Sequence, residues 1–263
     1  MVVFPRPGSP VRKVRIRFIG VQIQSELLTS ETHLPFETHM SVNIAGVDDA
    51  GRGPIIGPLV IAGVLLPADR VRQLVSMGVK DSKMLAPSTR TALAKKIRLI
   101  TKQVSVREVQ PRDIDEVVLR GARLRKLNFM EAKVMAEVIN ELHPTEVYVD
   151  ASDVNEKRYG ENIREFLSED LKKIRIISKH HADRTYPAVS AASIIAKVHR
   201  DAAIAQLHQE YGDFGSGYIT DPKTMNFLRS YRLNHDRFPP IVRISWKTVK
   251  EIEDELAQSR LGA

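Results

Sequence analysis

The chain contains no cysteine, so disulfides, thiolate metal sites and cysteine nucleophiles are all excluded. Reducing surroundings, hence the cytoplasm, are compatible with that absence. It also lacks a long apolar run. The longest, Pro54 to Pro67, is interrupted by Gly57, Pro58 and Gly63 and falls short of the roughly 18 residues that suggest a membrane span. Near the amino terminus, Val11 to Phe18 alternates basic and apolar residues, unlike the unbroken apolar segment of a secretory signal. A soluble, non-exported chain with no membrane partner is expected. Two nucleotide-binding patterns are missing as well. No Lys-Ser or Lys-Thr follows Gly57, which excludes a P-loop, and Gly51, Gly53 and Gly57 are one residue too widely spaced for a dinucleotide fingerprint. Both motifs also need a helix to open at the glycines. Here Pro54, Pro58 and the run Leu59–Val64 follow, and that run reads as a strand.

What is present is a basic chain of ordinary apolar content, with 40 Lys and Arg against 32 Asp and Glu and a formal net charge of +8 over 263 residues. That length suits one large domain, or one domain with a smaller appendage. The basic excess fits a nucleic-acid partner without demanding one. Residues 1–39 differ from the rest and carry no recognisable chemistry. They read as a basic extension, disordered or weakly ordered, or as a start assigned too early, since Met40 stands just before the first apolar strand.

From Ser41 the pattern is strand, acidic glycine turn, strand, then alternating helices and strands. Val42–Val47 and Leu59–Val64 read as strands. Ser88 is placed to cap a helix running to about Ile100, with Leu93, Ile97 and Ile100 on one face. Val104–Val109 alternates like a strand, and helices follow over about Asp113–Arg120 and Leu127–Leu142. Short strands are expected at Glu146–Asp150 and Ile174–Ser178. A long helix from about Pro187 to Tyr211 carries a small-residue portion, Ser190–Ser193, suited to close packing on a sheet. Glycines 212, 215 and 217 mark a break. Asp221-Pro222 is a helix start, and a last helix begins at Trp246. The expectation is a mixed α/β core over 40–211 with a small helical C-terminal region over 212–263.

The most informative stretch is Gly46 to Pro58, in which an apolar strand runs into Asp48, Asp49 and the Gly51-Arg52-Gly53 turn. Carboxylate oxygens suit Mg²⁺ or Mn²⁺, and glycine lets a ligand approach the backbone. Asp48 and Asp150 both close apolar strands, so a sheet pairing those strands brings them together, and Asp183 lies where it can reach the same edge. A cluster of carboxylates repels itself unless cations are bound. The matching chemistry is phosphodiester hydrolysis with two cations about 3.5–4 Å apart. Each acid also has a bland reading, in a turn or as a helix cap. Asp113, Asp115 and Asp153 are assigned to solvated or capping roles, and His180 and His181 to exposed polar positions.

Several blocks in order carry a resemblance over nearly everything from Met40 to Lys247. They are Asp48–Pro58, Lys80-Asp81-Ser82-Lys83, Tyr148-Val149-Asp150, Asp183–Asp201 with Tyr186–Lys197, and Phe214-Gly215-Ser216-Gly217-Tyr218. These resemble the motifs of ribonuclease HII, particularly its archaeal form. The resemblance implies an α/β fold, a ribonuclease H-like mixed β-sheet flanked by helices with a small C-terminal helical appendage. It implies an endonuclease that hydrolyses the RNA strand of RNA–DNA hybrids and cuts on the 5′ side of ribonucleotides embedded in duplex DNA, leaving 3′-OH and 5′-phosphate ends. Its biological setting would be ribonucleotide removal and RNA primer processing.

By matching position, Asp48, Asp49, Asp150 and Asp183 would be the catalytic residues and hold two divalent cations, Mg²⁺ or Mn²⁺. The Gly51-Arg52-Gly53 backbone would read the 2′-OH, which distinguishes RNA from DNA. Tyr218 would pack on the sugar at the junction, and Lys83 would contact a phosphate. Two positions depart from the family pattern. Asp49 stands where Glu is usual, and His181 where Lys is common. The shorter arm of Asp49 leaves open a weaker second metal, a changed cation preference, or compensation by the backbone. It also leaves open an alternative function, a hybrid-binding protein of this fold with impaired catalysis. The end Gln258-Ser259-Arg260-Leu261 resembles a sliding-clamp-binding peptide only faintly, since it lacks the terminal aromatic pair, and a monomer is the expected state.

Overall fold

The computed structural model describes residues 42–79, 85–120 and 123–261. The expectations for residues 1–39 and for Lys83 lie outside these. Five strands form one mixed sheet: β1 Asn43–Ala50, β2 Leu59–Pro67, β3 Gln103–Val109, β4 Glu146–Asp150 and β5 Arg175–Lys179. Their spatial order is β3-β2-β1-β4-β5. The β1–β2 and β2–β3 pairs are antiparallel, whereas β4 runs parallel to both β1 and β5. In the β1–β4 register the last pair is Val47 with Val149. The next residues on these two strands are Asp48 and Asp150, so both acids lie at the same end of the sheet.

Alternation of side chains across the sheet splits the core into two layers. One face, with Val47, Ile61 and Val149, packs on α3 (Pro111–Leu119), α4 (Arg123–Leu142) and α5 (Glu156–Glu165). The other, with Ala50, Ala62 and Val64, packs on α1 (Val71–Ser76), α2 (Pro87–Ile100) and α7 (Pro187–Tyr211). The small residues of α7 do what their size suggests. Ala188, Ala191, Ala192 and Ala196 are buried, and the backbone of Ala188 lies against Gly46, where no side chain would fit. Asp48, two residues on from Gly46, projects from that same α7 face, and Asp49 from the opposite one.

Between α7 and the final helices lies a third apolar cluster. Phe214 from the break, Leu228 from α8 (Pro222–Asn234), Ile241 and Val242 from the segment after it and Ile252 from α9 (Lys247–Leu261) close over Ile55 and Ile56. Asp221 caps α8 as its sequence foretells, accepting a hydrogen bond from the Lys223 N–H at 3.0 Å. No helix among the described residues is long and apolar enough to cross a membrane.

Several local expectations need correction. β1 runs through Asp48 and Asp49 to Ala50, because pairing with Val60–Ala62 on β2 continues past the apolar run. Ser88 does not cap α2. Pro87 takes the first helical position, Ala86 stands at the N-cap, and no side chain caps the end. α1, α5 and α6 (Ala182–Thr185) were not foreseen, and Asp183 sits inside α6 rather than in a loop. Asp113 is exposed, but Asp115 and Asp153 are buried. Asp115 accepts the Ile244 and Ser245 N–H groups at 2.9 Å each, while Asp153 pairs with Arg158 and accepts from Asn128 at 3.1 Å. His180 and His181 are exposed, as expected.

Candidate active site

Asp48, Asp49, Asp150 and Asp183 line one cavity of about 440 Å³ at the carboxyl end of β1 and β4. Ligand crevices form there in open α/β sheets because the chain turns away on both sides. Gly51, Arg52, Gly53 and Tyr218 line it too. The structure thus brings together every described residue that the sequence nominated.

Each acid is held by its own element. Asp48 is nearly buried on β1; its Oδ1 accepts the Asp49 N–H at 2.8 Å, and Ser193 of α7 hydrogen-bonds its carboxyl. Asp150 Oδ1 accepts the Ala182 N–H at 2.8 Å, which ties β4 to the start of α6. Asp183 is buried in the first turn of α6, and its Oδ1 has no hydrogen-bond partner. Asp49 is only loosely held, with Ser152 Oγ at 3.5 Å.

Burial pushes the Asp48 carboxyl well above the ordinary range, and the adjacent charges of Asp49 and Asp150 push it further. Asp49 is raised for the same reasons, against the pull of Arg52 and Lys197. An unsatisfied buried oxygen and mutually repelling carboxylates are what a hard divalent cation relieves, so the donor set fits one. No group of three or more acids or histidines among the described residues is already assembled as a metal cage. The acids converge on a common space without closing on one point.

The cavity also carries basic and aromatic side chains. Ser193, Lys197, Arg200 and Asp201 descend one side of α7 into the cavity. Lys197 Nζ donates to Ser193 Oγ at 3.3 Å, and Arg90 of α2 pairs with Asp201 at 2.8 Å. The Arg200 guanidinium lies 5.2 Å from the centre of the Tyr218 ring and donates to Ser216 O at 3.2 Å. Its stem also packs where a Cβ on Gly51 would fall, 2.6 Å away, and Gly51 has φ +86°, so that turn requires glycine.

Sequence reasoning assigned no role to Arg90, Lys197, Arg200 or Asp201, and read Ser193 only as a small residue for packing on the sheet. A usable signal existed on α7, because positions 193, 197 and 201 follow the four-residue spacing of one helix face. Arg52 turns inward rather than into solvent, with Nε 2.8 Å from Glu131 Oε1 and Nη1 donating to Ser152 O at 3.2 Å. Burial, with Asp49 nearby, pushes Glu131 up to about 8 despite Arg52.

The family model described as ribonuclease HII matches residues 45–249. The chain belongs to the ribonuclease HII family. A ribonuclease HII of Thermococcus sibiricus is 45% identical over 221 residues, covering 83% of this chain and 95% of that protein. One from Methanosarcina barkeri is 46% identical over 222 residues, covering 82% and 97%. The crystal structure of ribonuclease H2 from Pyrococcus horikoshii superimposes with a TM-score of 0.74 at 42% identity, covering 81% of this chain and 98% of that one. The RNase HII in a PCNA complex from Archaeoglobus fulgidus gives a TM-score of 0.70 at 40% identity, covering 80% and 96%. As a ribonuclease HII family member, the protein is a metal-dependent endoribonuclease that hydrolyses the RNA strand of RNA–DNA hybrids, on a ribonuclease H-like fold.

Proposed function

We propose that the cavity cuts on the 5′ side of ribonucleotides embedded in duplex DNA as well as within hybrids, leaving 3′-OH and 5′-phosphate ends. The observation that carries this reading is one cavity that gathers four aspartates with basic and aromatic side chains around a glycine turn. Asp48, Asp49, Asp150 and Asp183 would hold two divalent cations, Mg²⁺ or Mn²⁺, which when bound supply an activated water and stabilise the leaving oxygen. Lys197, Arg90 and Arg200 give the cavity the positive charge that a phosphodiester backbone needs. The Gly51-Arg52-Gly53 turn leaves room for a sugar hydroxyl at its backbone, and the exposed ring of Tyr218 offers a flat face for the junction sugar. Lys83 would contact a phosphate. Ribonucleotide removal and RNA primer processing in the cytoplasm, by a monomer, are the roles this chemistry serves. The PCNA complex of the Archaeoglobus relative supports a sliding-clamp contact at the end of α9.

The test is incubation with a DNA duplex carrying one ribonucleotide, with Mg²⁺ or Mn²⁺ supplied separately. Cleavage immediately 5′ of the ribonucleotide is expected. Tight binding without cleavage in either metal would overturn the reading in favour of an impaired binder.

A further inference from the structure

Arg243 is among the largest fully buried side chains in the protein, at 0% exposure, and it lies between α8 and α9, outside the cavity lining. Its hydrogen bonds run to backbone carbonyls of the glycine turn. Nη2 donates to Gly51 O at 2.6 Å and to Gly57 O at 2.8 Å, Nη1 to Arg52 O at 2.8 Å, and Nε to Gly57 O at 3.1 Å. Trp246, whose ring lies 5.1 Å from the guanidinium, donates Nε1–H to Gly53 O at 3.2 Å. Three consecutive carbonyls, from Gly51 to Gly53, are therefore held from one side by two side chains.

The segment carrying those side chains is itself pinned. Arg243 N–H donates to Ile55 O at 2.8 Å, and the Asp115 carboxylate accepts the next two N–H groups. Arg243 remains a cation at neutral pH, although burial lowers it to about 9. A buried guanidinium spread over carbonyls is costly to keep, and a planar fork of five donors is the one side chain able to span them.

The consequence follows from peptide geometry. No cis bonds are present among the described residues, and in a trans peptide the carbonyl of one residue and the N–H of the next point in opposite directions. Carbonyls of Gly51 and Arg52 drawn toward Arg243 therefore turn the N–H groups of Arg52 and Gly53 the other way. Gly51, Arg52 and Gly53 line the cavity and Arg243 does not, so that other way is the cavity side. The Gly53 carbonyl is followed by Pro54, which has no N–H to place.

We infer that Arg243, assisted by Trp246, is a specificity-determining positioning residue. It holds the glycine turn so that two amide donors are aimed into the cavity before substrate arrives, and thereby sets discrimination for a ribonucleotide over a deoxyribonucleotide. This rests on the reading above that the turn recognises the 2′-OH. Rigid donors discriminate where mobile ones do not, because a loose loop can turn its amides to solvent when the hydroxyl is missing.

The test compares full-length wild type, Arg243→Lys and Trp246→Phe. Binding is measured in Ca²⁺ to a duplex carrying one ribonucleotide and to the same duplex in all-DNA form, with thermal melts of each variant. A lysine cannot bridge the three carbonyls, so Arg243→Lys should lower the ribo-to-deoxy affinity ratio by about tenfold, the scale of one or two hydrogen bonds. Affinity for all-DNA duplex should stay unchanged. Trp246→Phe, which keeps the packing and loses one donor, should lower the ratio by roughly threefold.

A purely structural role would lower the melting temperature and both affinities together, or leave the ratio intact, and either result overturns the inference. Should Arg243→Lys fail to fold, Trp246→Phe decides alone. A wild type without ribonucleotide preference would instead sink the reading of the turn, and this inference with it.

Discussion

Gly46 and Ala188 meet backbone to backbone. A Cβ on Gly46 would lie 2.1 Å from the Ala188 carbonyl carbon and 2.4 Å from the Val189 nitrogen. This contact seats α7 on β1, and through it Ser193 reaches Asp48. Gly46→Ala should therefore destabilise the fold by about 3 kcal/mol, the upper range for overpacking, because backbone on both sides cannot yield as a side chain can. Activity should fall even where the protein remains folded. Urea unfolding checks this, and a loss under about 1 kcal/mol would mean the helix shifts freely on the sheet.

Asp48 is a buried acid whose neighbours repel it. Asp48→Asn removes that repulsion, so the cation-free protein should become more stable by about 1 kcal/mol while turnover is lost, a trade common at sites built for function. Thermal melts with and without Mn²⁺ give a second readout. The rise in melting temperature that Mn²⁺ produces in wild type should shrink in the variant. Turnover at the wild-type rate would remove Asp48 from the catalytic set.

Asp49 is held by one long contact, Ser152 Oγ at 3.5 Å, and lines the open cavity. Asp49→Glu supplies the arm usual in the family. We expect the Mg²⁺ concentration for half-maximal cleavage to drop roughly tenfold, the scale on which site geometry tunes metal affinity. A metal titration giving the same midpoint for both proteins would show that the shorter arm costs nothing.

Glu131 gives a pH dependence with a definite sign. The folded chain keeps its proton up to about 8, whereas the unfolded chain releases it near the ordinary value of about 4.3. Between those values the folded state binds more protons, so this group's contribution to stability declines as pH rises across that window. Glu131→Gln cannot titrate. Its stability should therefore fall less between about pH 5 and pH 8 than that of the wild type, in denaturant melts at fixed ionic strength. Parallel slopes would show that Arg52, 2.8 Å from Glu131, keeps the carboxylate ionised throughout.

The parts legible from the sequence are those governed by neighbours along the chain. Strand β4 falls on Glu146–Asp150 as read, because a short apolar run bounded by Pro144 and an acid has few alternatives. The Asp221 cap was equally plain. α5 was not, since only Tyr159 and Ile163 of its ten residues are buried and Gly160, a poor helix former, stands in its middle. Arg243 carried no local signal at all, because its partners lie as far as 192 residues upstream. Asp115 went astray for the same reason, looking like a surface helix acid until the C-terminal segment, 129 residues on, lays two amides on it.

The sequence by itself determined the five strands and the longer helices, the placement of Asp48 and Asp150 toward the carboxyl ends of their strands, the glycine turn and the family to which the motifs belong. All of these follow from periodicity, backbone freedom and motif order within short windows. Only the tertiary structure decided that the α7 stripe lines the same cavity as the four aspartates, that Arg52 points inward, and that a C-terminal arginine grips the turn. Burial also perturbs Asp48 and Glu131 only once the chain is folded. Desolvation and contacts across the fold depend on what surrounds a residue in space, and no local pattern carries that information.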